Sequence, residues 1–479
     1  MCELLRSQSP HSTDAARAAR GAESKTAPRE GGQEGGCVKT ETGNKAPGVP
    51  DTAKQGAEAH DLSWVEASIW TERMISALEN GVKGGRWFSL IDKVYAPSTL
   101  TLAWTKVQAN AGAAGVDGQS IERFAARAEE YLSELSEALK MGQYRPQPIR
   151  RVEIPKGDGR TRPLGIPTVK DRIVQTAMKL VIEPIFEVTF RPMSYGFRPK
   201  RRCHDALREV DQLLKQGLNF VVDADLESYF DSIPHERLME RVEERISDGR
   251  LLYLLRLWLG QEVMGEMQRW TPVEGTPQGA VISPLLANIY LHPLDERMAK
   301  LGYRMVRYAD DFVVLCQSHE NAAAALAEIH AFAAENGLRL NPDKTHLGDW
   351  RKPGEGFDFL GYRFEAGRRF VRKKSLTRLR DRIREKTKRT CGQSLACVIA
   401  DLNPILRGWF GYYKHAHHCT FETVDGFVRR RLRAILRKQE KRPGFGFCRA
   451  DHTRWPNAFF AKAGLFALYA GWLDARASR

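Results

Sequence analysis

RYADDFVVL, residues 307–315, is the stretch on which the reading of this chain turns. Val306 and Tyr308 alternate before the acids, Phe312 and Val314 after them, which predicts a β-hairpin with Asp310 and Asp311 at its tip. Adjacent carboxylates at a tight turn repel each other unless a cation shares them. Magnesium is a hard ion that takes carboxylate oxygens and keeps open positions for phosphate. Two such ions about 4 Å apart activate an attacking 3′-hydroxyl and stabilise a departing pyrophosphate. That chemistry needs a third carboxylate from another strand. Asp225, ending the β-rich run NFVVDAD at 219–225, is the candidate.

A lone Asp-Asp pair is more often a solvated turn. The order of surrounding features changes that reading. Before the acid-ended strand lies RRVEIPKGDGRTRPLGIPTVKDRIVQTAMKLVIEPIFE, 150–187. It predicts a strand around Val152 and Ile154, a GDG turn, a returning strand at RPLGIP, and a helix from Val169 through Ile173, Ala177, Leu180 and Val181. Lys156, Arg160 and Arg162 flank that turn, so the hairpin is basic and suited to reach over a bound polyphosphate. After the acid-ended strand, QGAVISPLLANIYLHPLDERM at 278–298 predicts a glycine turn and then a helix through Leu285, Ile289 and Leu294. GLRLNPDKTHLGDW, 337–350, reads as strand, turn, strand, and FDFLGYRF, 357–364, as another short strand pair.

Charge is unevenly placed. The 479 residues carry 74 basic and 59 acidic side chains, a net of +15. Residues 361–479 hold 28 of the basic and 9 of the acidic ones, a net of +19, leaving −4 for everything before them. The last quarter therefore reads as a nucleic-acid grip, against the plainer alternative of a solvated basic face. LTRLRDRIREKTKR puts Leu376, Leu379 and Ile383 on one helical stripe, and VDGFVRRRLRAILRKQEKR does the same with Val424, Phe427, Val428, Leu432, Ile435 and Leu436. The bases lie opposite. Residues 1–60 are rich in Gly, Ala, Ser, Glu and Lys, a composition that predicts disorder. Order is expected from about Trp64, with one helix over SWVEASIWTERMISALENG ending at Gly81 and a second at 121–142. No apolar run reaches the roughly 18 residues needed to span a bilayer, and the N-terminus lacks a secretion signal's apolar core. The expectation is a cytoplasmic protein, associated with the nucleoid at its target DNA, with no membrane partner and with free thiols.

These motifs, taken in order, resemble those of a group II intron-encoded protein, a reverse transcriptase joined to a maturase domain. YADD resembles the catalytic box, and DLESYFDSI the box with the first metal-binding aspartate. IPKGDGRTRPLGIPTVKDRIVQ, YGFRPKRRCHDAL, QGAVISPLLANIYL, LNPDKT, FLGYRF and LRGWFGYYKH follow the family pattern over about residues 85–470. The resemblance implies an α+β fold: a right-hand polymerase with fingers and an antiparallel palm sheet, plus an α-helical thumb or maturase domain. It implies an N-terminal extension and fingers at 61–215, with the fingers motifs from 150. A palm at 216–365 follows, then a thumb at 366–445 and a short basic nucleic-acid-binding tail at 446–479. The chain ends too soon for the endonuclease domain of many members, which implies the compact class.

The resemblance also assigns roles. Asp225, Asp310 and Asp311, with the backbone carbonyl of Leu226, would hold two Mg²⁺ ions. Lys344 would protonate the pyrophosphate or bind it electrostatically, unless it is a turn lysine in water. Lys156 and Arg162 would contact the incoming triphosphate, and Gln278 and Gly279 would line its pocket. Phe230 would exclude a ribose 2′-hydroxyl, the alternative being a plain core residue. Arg378, Arg382, Arg429, Arg430, Arg431 and Arg433 would contact nucleic acid. One departure is Glu227, where the family often has Lys. The implied partners are the intron RNA, an RNA template with a DNA primer, target DNA and deoxynucleotides, with oligomeric state open. The implied function is RNA-directed DNA synthesis, splicing assistance and target-primed retrotransposition. A splicing-only maturase and a free-standing reverse transcriptase in repair or phage defence stand as alternatives. WFGYYKHAHH, 409–418, reads either as a stacking platform for unpaired bases or as a packed aromatic core. The cysteines and histidines scattered from 391 to 452 fit no standard zinc spacing.

Overall fold

The computed structural model describes residues 61–477, apart from 83, 156–158, 160, 266–267, 391 and 447. The expectations for residues 1–60 and for Lys156 and Arg160 lie outside the described residues. The expected hairpin is present. Arg304–Tyr308 pairs antiparallel with Asp311–Cys316, with Tyr308 opposite Asp311. Asp311 thus opens the second strand, and only Ala309 and Asp310 make the turn. Ala309 takes the left-handed conformation, φ 61°. On its far side Asp311–Cys316 pairs antiparallel with Phe220–Asp225, and that strand pairs with His346–Asp349. The four form one sheet with the acid-ended strand inside it.

Side chains alternate across a pleated strand, so this sheet feeds two cores. Val222, Ala224, Phe312 and Val314 enter a first core with the helices Pro97–Asn110, Val169–Glu187, Gly249–Leu259, Ser283–Lys300 and His319–Glu335. Val221, Val306, Val313 and Leu315 enter a second core on the opposite face. There they meet the helix Cys203–Lys215 and a three-stranded sheet, Phe357–Phe359, Tyr362–Glu365 and Arg368–Val371. The helices Lys373–Lys386, Leu395–Tyr413 and Cys419–Gln439 complete it. The segment from 446 onward, expected as a tail, adds three short helices, and its Trp455, Phe460 and Leu468 are buried in the same core. Asp425 ties it down by accepting from the amides of Leu468 (2.9 Å) and Tyr469 (3.1 Å).

The basic hairpin is formed by Ile149–Pro155 and Thr161–Ile166, extended by two short strands at Val263–Met264 and Arg269–Trp270. Other elements depart from the sequence reading. The first helix begins only at Glu72, because the Thr71 side chain caps it by accepting from the Met74 amide. The 121–142 segment is two helices, Ile121–Ala125 and Ala128–Lys140, broken at Arg127 where the backbone leaves the helical region. The first strand expected in 337–350 is reduced to one bridge, Leu226 with Leu340. Strand Arg368–Val371 went unpredicted, since its run of arginines hides the alternation. Among the described residues no helix is long and apolar enough to cross a membrane.

Candidate active site

Strand register brings the acids together. Asp225 is directly opposite Asp311, and Asp223, two residues before Asp225, lies on the same face. Asp310 projects from the turn beside them. Burial is the main force on the protonation of Asp223, Asp310 and Asp311. It pushes Asp223 and Asp311 up to about 7, with nearby carboxylates adding to the shift, and it raises Asp310 as well. The Lys344 ammonium lies 2.7 Å from Asp225 Oδ2. Its turn is tethered to the same strand end, because the Asn341 amide donates to the Asp225 carbonyl at 2.8 Å. A set of hard oxygen donors, too crowded to ionise together and already drawing an ammonium group, fits divalent cations. Asp223 was missed as a member of this set. The signal was its spacing of two from Asp225.

The sign of the resulting pH dependence follows from linkage. A carboxyl group whose folded pKa lies above its unfolded 3.8 binds its proton more tightly in the native state. Its contribution to stability is full below the unfolded pKa and is lost as pH rises through about 7. Asparagine at 223 keeps the neutral form. In metal-free buffer, Asp223→Asn is therefore expected to gain stability relative to the native chain by about 2–4 kcal/mol as pH rises from about 5 to about 8. Denaturant unfolding at several pH values checks this. A constant difference would show that Asp223 is ionised throughout.

The residues expected around the nucleotide gather where the basic hairpin meets the glycine turn. The Gly165 amide donates to the Gln278 carbonyl at 2.6 Å. Gly279 has φ 109°, and a Cβ there would stand 2.4 Å from the Gly165 carbonyl oxygen, so only glycine fits. Gln278 donates through Nε2 to Asp231 at 3.2 Å. A cleft of about 270 Å³ opens beside these residues, lined also by Arg151, Pro163 and Trp270. Arg162 is exposed on the returning strand. Phe230 is half-buried in the short helical turn Tyr229–Asp231. Its ring meets Tyr229 (5.6 Å) and Phe197 (6.3 Å) edge to face. Leu226 is buried, one residue past Asp225.

The six arginines expected on nucleic acid divide. Arg378 and Arg382 are exposed on Lys373–Lys386, beside the stripe on which Leu379 and Ile383 are buried. Arg433 requires correction: it is 2% exposed, donating to the Trp455 carbonyl (3.0 Å) and to Asn457 (3.1 Å), so it anchors the C-terminal segment instead of facing RNA. Arg431 donates to the Thr387 hydroxyl (2.9 Å) and carbonyl (2.6 Å), tying two helices together. Arg429 pairs with Asp425 at 3.8 Å, and Arg430 lies over the Phe427 ring. All four stand on one helix, whose inner face is wider than its apolar stripe suggests. The WFGYYKHAHH aromatics pack: Trp409, Phe410, Tyr412 and Tyr413 lean on the second core, and the Tyr412 hydroxyl donates to the Leu360 carbonyl. Among the described residues, the cysteines and histidines gather only as the sequence neighbours His417, His418 and Cys419.

The fold and the site define a palm-type nucleic-acid polymerase. Residues 154–364 match the family of reverse transcriptase (RNA-dependent DNA polymerase), and residues 376–454 match the group II intron, maturase-specific domain. Protein YkfC of Escherichia coli (strain K12) is 38% identical over 290 residues, covering 52% of this chain and 75% of its own length. The group II intron-encoded protein LtrA of Lactococcus lactis is 36% identical over 214 residues, covering 44% of this chain and 35% of its own length. The chain thus spans about a third of LtrA and three quarters of YkfC. It belongs to the group II intron reverse transcriptase and maturase family, and its enzyme class is RNA-directed DNA polymerase. Polymerases of this family depend on divalent metal, and the maturase domain implies RNA among its partners.

Proposed function

We propose that this protein copies RNA into DNA with two Mg²⁺ ions held by Asp225, Asp310, Asp311 and the Leu226 carbonyl. The observation that carries the reading is the register that sets Asp225 opposite Asp311 at the open end of the palm sheet. Bound there, the ions would lower the pKa of the primer 3′-hydroxyl and neutralise charge on the leaving pyrophosphate. The chain's own residues do the rest. The Gly279 turn and the Gly165 strand floor the nucleotide pocket, and Phe230 closes it on the ribose side. Arg162 and Lys156 meet the triphosphate, and Lys344 moves from Asp225 to the departing phosphate. The thumb, 366–445, grips the duplex through phosphates and binds the parent intron RNA, promoting its splicing. The full cycle is target-primed retrotransposition.

Primer extension on an RNA template with Mg²⁺ and deoxynucleotides tests the polymerase, and splicing of the flanking intron RNA tests the maturase. Splicing assistance without extension would leave the maturase-only reading. Extension without any effect on intron splicing would favour a free-standing polymerase.

The exposed pair on the thumb gives a separate expectation. Arg378→Gln with Arg382→Gln weakens RNA binding and lowers the slope of log affinity against log salt by about 1–2. Arg433→Gln instead lowers the thermal midpoint, because it strands buried acceptors. Filter binding across a salt series reads the first. An unchanged slope would take that helix face out of the interface.

A further inference from the structure

Directly beneath the catalytic turn lies a charged network that the chemistry above leaves unused. Arg307 stands two residues before Ala309, the first residue of the turn, and its side chain is fully buried. Nε donates to Asp295 Oδ1 at 2.7 Å, and Nη2 donates to the other oxygen of the same carboxylate. Nη1 donates to Asn288 Oδ1 at 2.9 Å and to the Ala309 carbonyl at 3.0 Å. Asp295 is 0% and Asn288 1% exposed. Both sit on the helix Ser283–Lys300, seven residues or two turns apart, and so share one face. Asn288 in turn donates through Nδ2 to the Gly196 carbonyl at 2.8 Å.

The backbone closes the same circuit. The Arg307 amide donates to the Met193 carbonyl at 2.9 Å, and the Tyr195 amide donates to the Arg307 carbonyl at 2.8 Å. This lays the segment 193–196 along the edge of the catalytic hairpin. Gly196 then presses on the turn: a Cβ there would stand 2.3 Å from the Ala309 nitrogen and 2.8 Å from the Tyr308 carbonyl carbon.

The Ala309 carbonyl belongs to the peptide unit that carries the Asp310 amide. Holding that oxygen fixes the plane of the peptide from which Asp310 departs and Asp311 follows. It also stabilises a left-handed alanine, a conformation that costs about 1–3 kcal/mol when unsupported. Stability alone is a poor reason for such a network. Replacing a buried ion pair by well-packed apolar residues is often neutral or stabilising. A rigid guanidinium fork with four donors engaged on three partners supplies geometry instead.

We propose that Arg307, clamped by Asp295 and Asn288, is the positioning residue of the catalytic turn, setting where Asp310 and Asp311 present their oxygens to metal. The proposal rests on the metal-binding role of those two aspartates. It touches no substrate itself.

The test uses the full chain in three forms: Arg307→Lys, Asn288→Ala, and the paired Arg307→Met with Asp295→Leu. Three quantities are read on each: thermal midpoint, affinity for an RNA template–primer, and the single-nucleotide incorporation rate across a Mg²⁺ series. Lysine keeps the charge beside Asp295 but cannot span to Ala309 and Asn288 together. It is expected to slow incorporation about 100-fold, the scale of a displaced catalytic group. Half-saturating Mg²⁺ rises several-fold while template–primer affinity holds. The apolar pair keeps the thermal midpoint and is just as slow. A native rate and Mg²⁺ midpoint in either form would reduce Arg307 to a scaffold ion pair and overturn the proposal. Should the apolar pair not fold, Asn288→Ala decides with Arg307→Lys: raised Mg²⁺ demand in both supports the clamp, and native demand in either refutes it. Asp310→Ala is measured alongside. If that variant still incorporates nucleotide, the metal reading itself has failed, which is a different result.

Discussion

Alanine at Asp310 or at Asp311 is expected to abolish DNA synthesis on an RNA template, by about 10³-fold or more, while RNA binding stays within a factor of two or so of native. Losing a carboxylate from the proposed metal site would remove several kcal/mol of charge stabilisation from the transition state, and about 1.4 kcal/mol is worth a factor of ten. Misfolding will not account for the loss. Asp311 is held up to about 7 by burial and by its acidic neighbours, so taking it away relieves strain in the metal-free protein. Its thermal midpoint in a chelating buffer should hold or rise. The exposed arginines of Lys373–Lys386 belong to another element, so splicing assistance should survive. Primer extension, filter binding and a splicing assay on the same preparations measure all three. Loss of splicing in both variants would show that catalysis and RNA chaperoning share this site.

Valine or alanine at Phe230 is expected to let ribonucleotides in. The ring meets Tyr229 and Phe197 edge to face, and the Thr276 amide donates to the Phe230 carbonyl at 2.6 Å, which pins the backbone that carries it. A fixed wall excludes a hydroxyl by overlap, and shortening it removes the overlap. Discrimination between deoxy- and ribonucleotide, measured as the ratio of kcat/KM values, should fall by about 10–200-fold, the range for a change of one small group in a pocket. Deoxynucleotide use should drop far less. Tyr229 serves as the contrast: its hydroxyl donates to the buried Ala287 carbonyl at 2.6 Å, so Tyr229→Phe should cost stability and leave discrimination alone. An unchanged ratio in both Phe230 variants would make that ring a core residue.

Much of this was legible in the sequence, because the palm is built from local patterns. Alternation around Asp310 and Asp311 announced the hairpin, and the acid-ended run announced its neighbour. Pairing register was not legible. Only the sheet shows Asp225 opposite Asp311 and Asp223 on the same face, since register is fixed by long-range packing. The thumb arginines misled for a related reason. A run of four bases in five positions must cover much of a helix's circumference, so some of them turn inward. Arg433 found buried acceptors there, and sequence period alone did not separate it from exposed Arg378. Arg307 drew no role from the sequence, because its partners Asp295 and Asn288 lie on another element and only the fold brings them beneath it.

The two cores sharing one sheet limit how this protein can be divided. Val221, Val306, Val313 and Leu315 share one core with the helix Cys203–Lys215, with the small three-stranded sheet and, beyond that sheet, with the helices that follow residue 372. A fragment ending at 365 would keep Asp225, Asp310 and Asp311 yet strip the small sheet behind their strands of its own partners, among them Tyr412 and Tyr413 against Tyr362. The polymerase is therefore not a detachable module to which an RNA-binding part was added. A lineage that abandoned splicing would still need those helices, to close the core that its palm sheet helps to build.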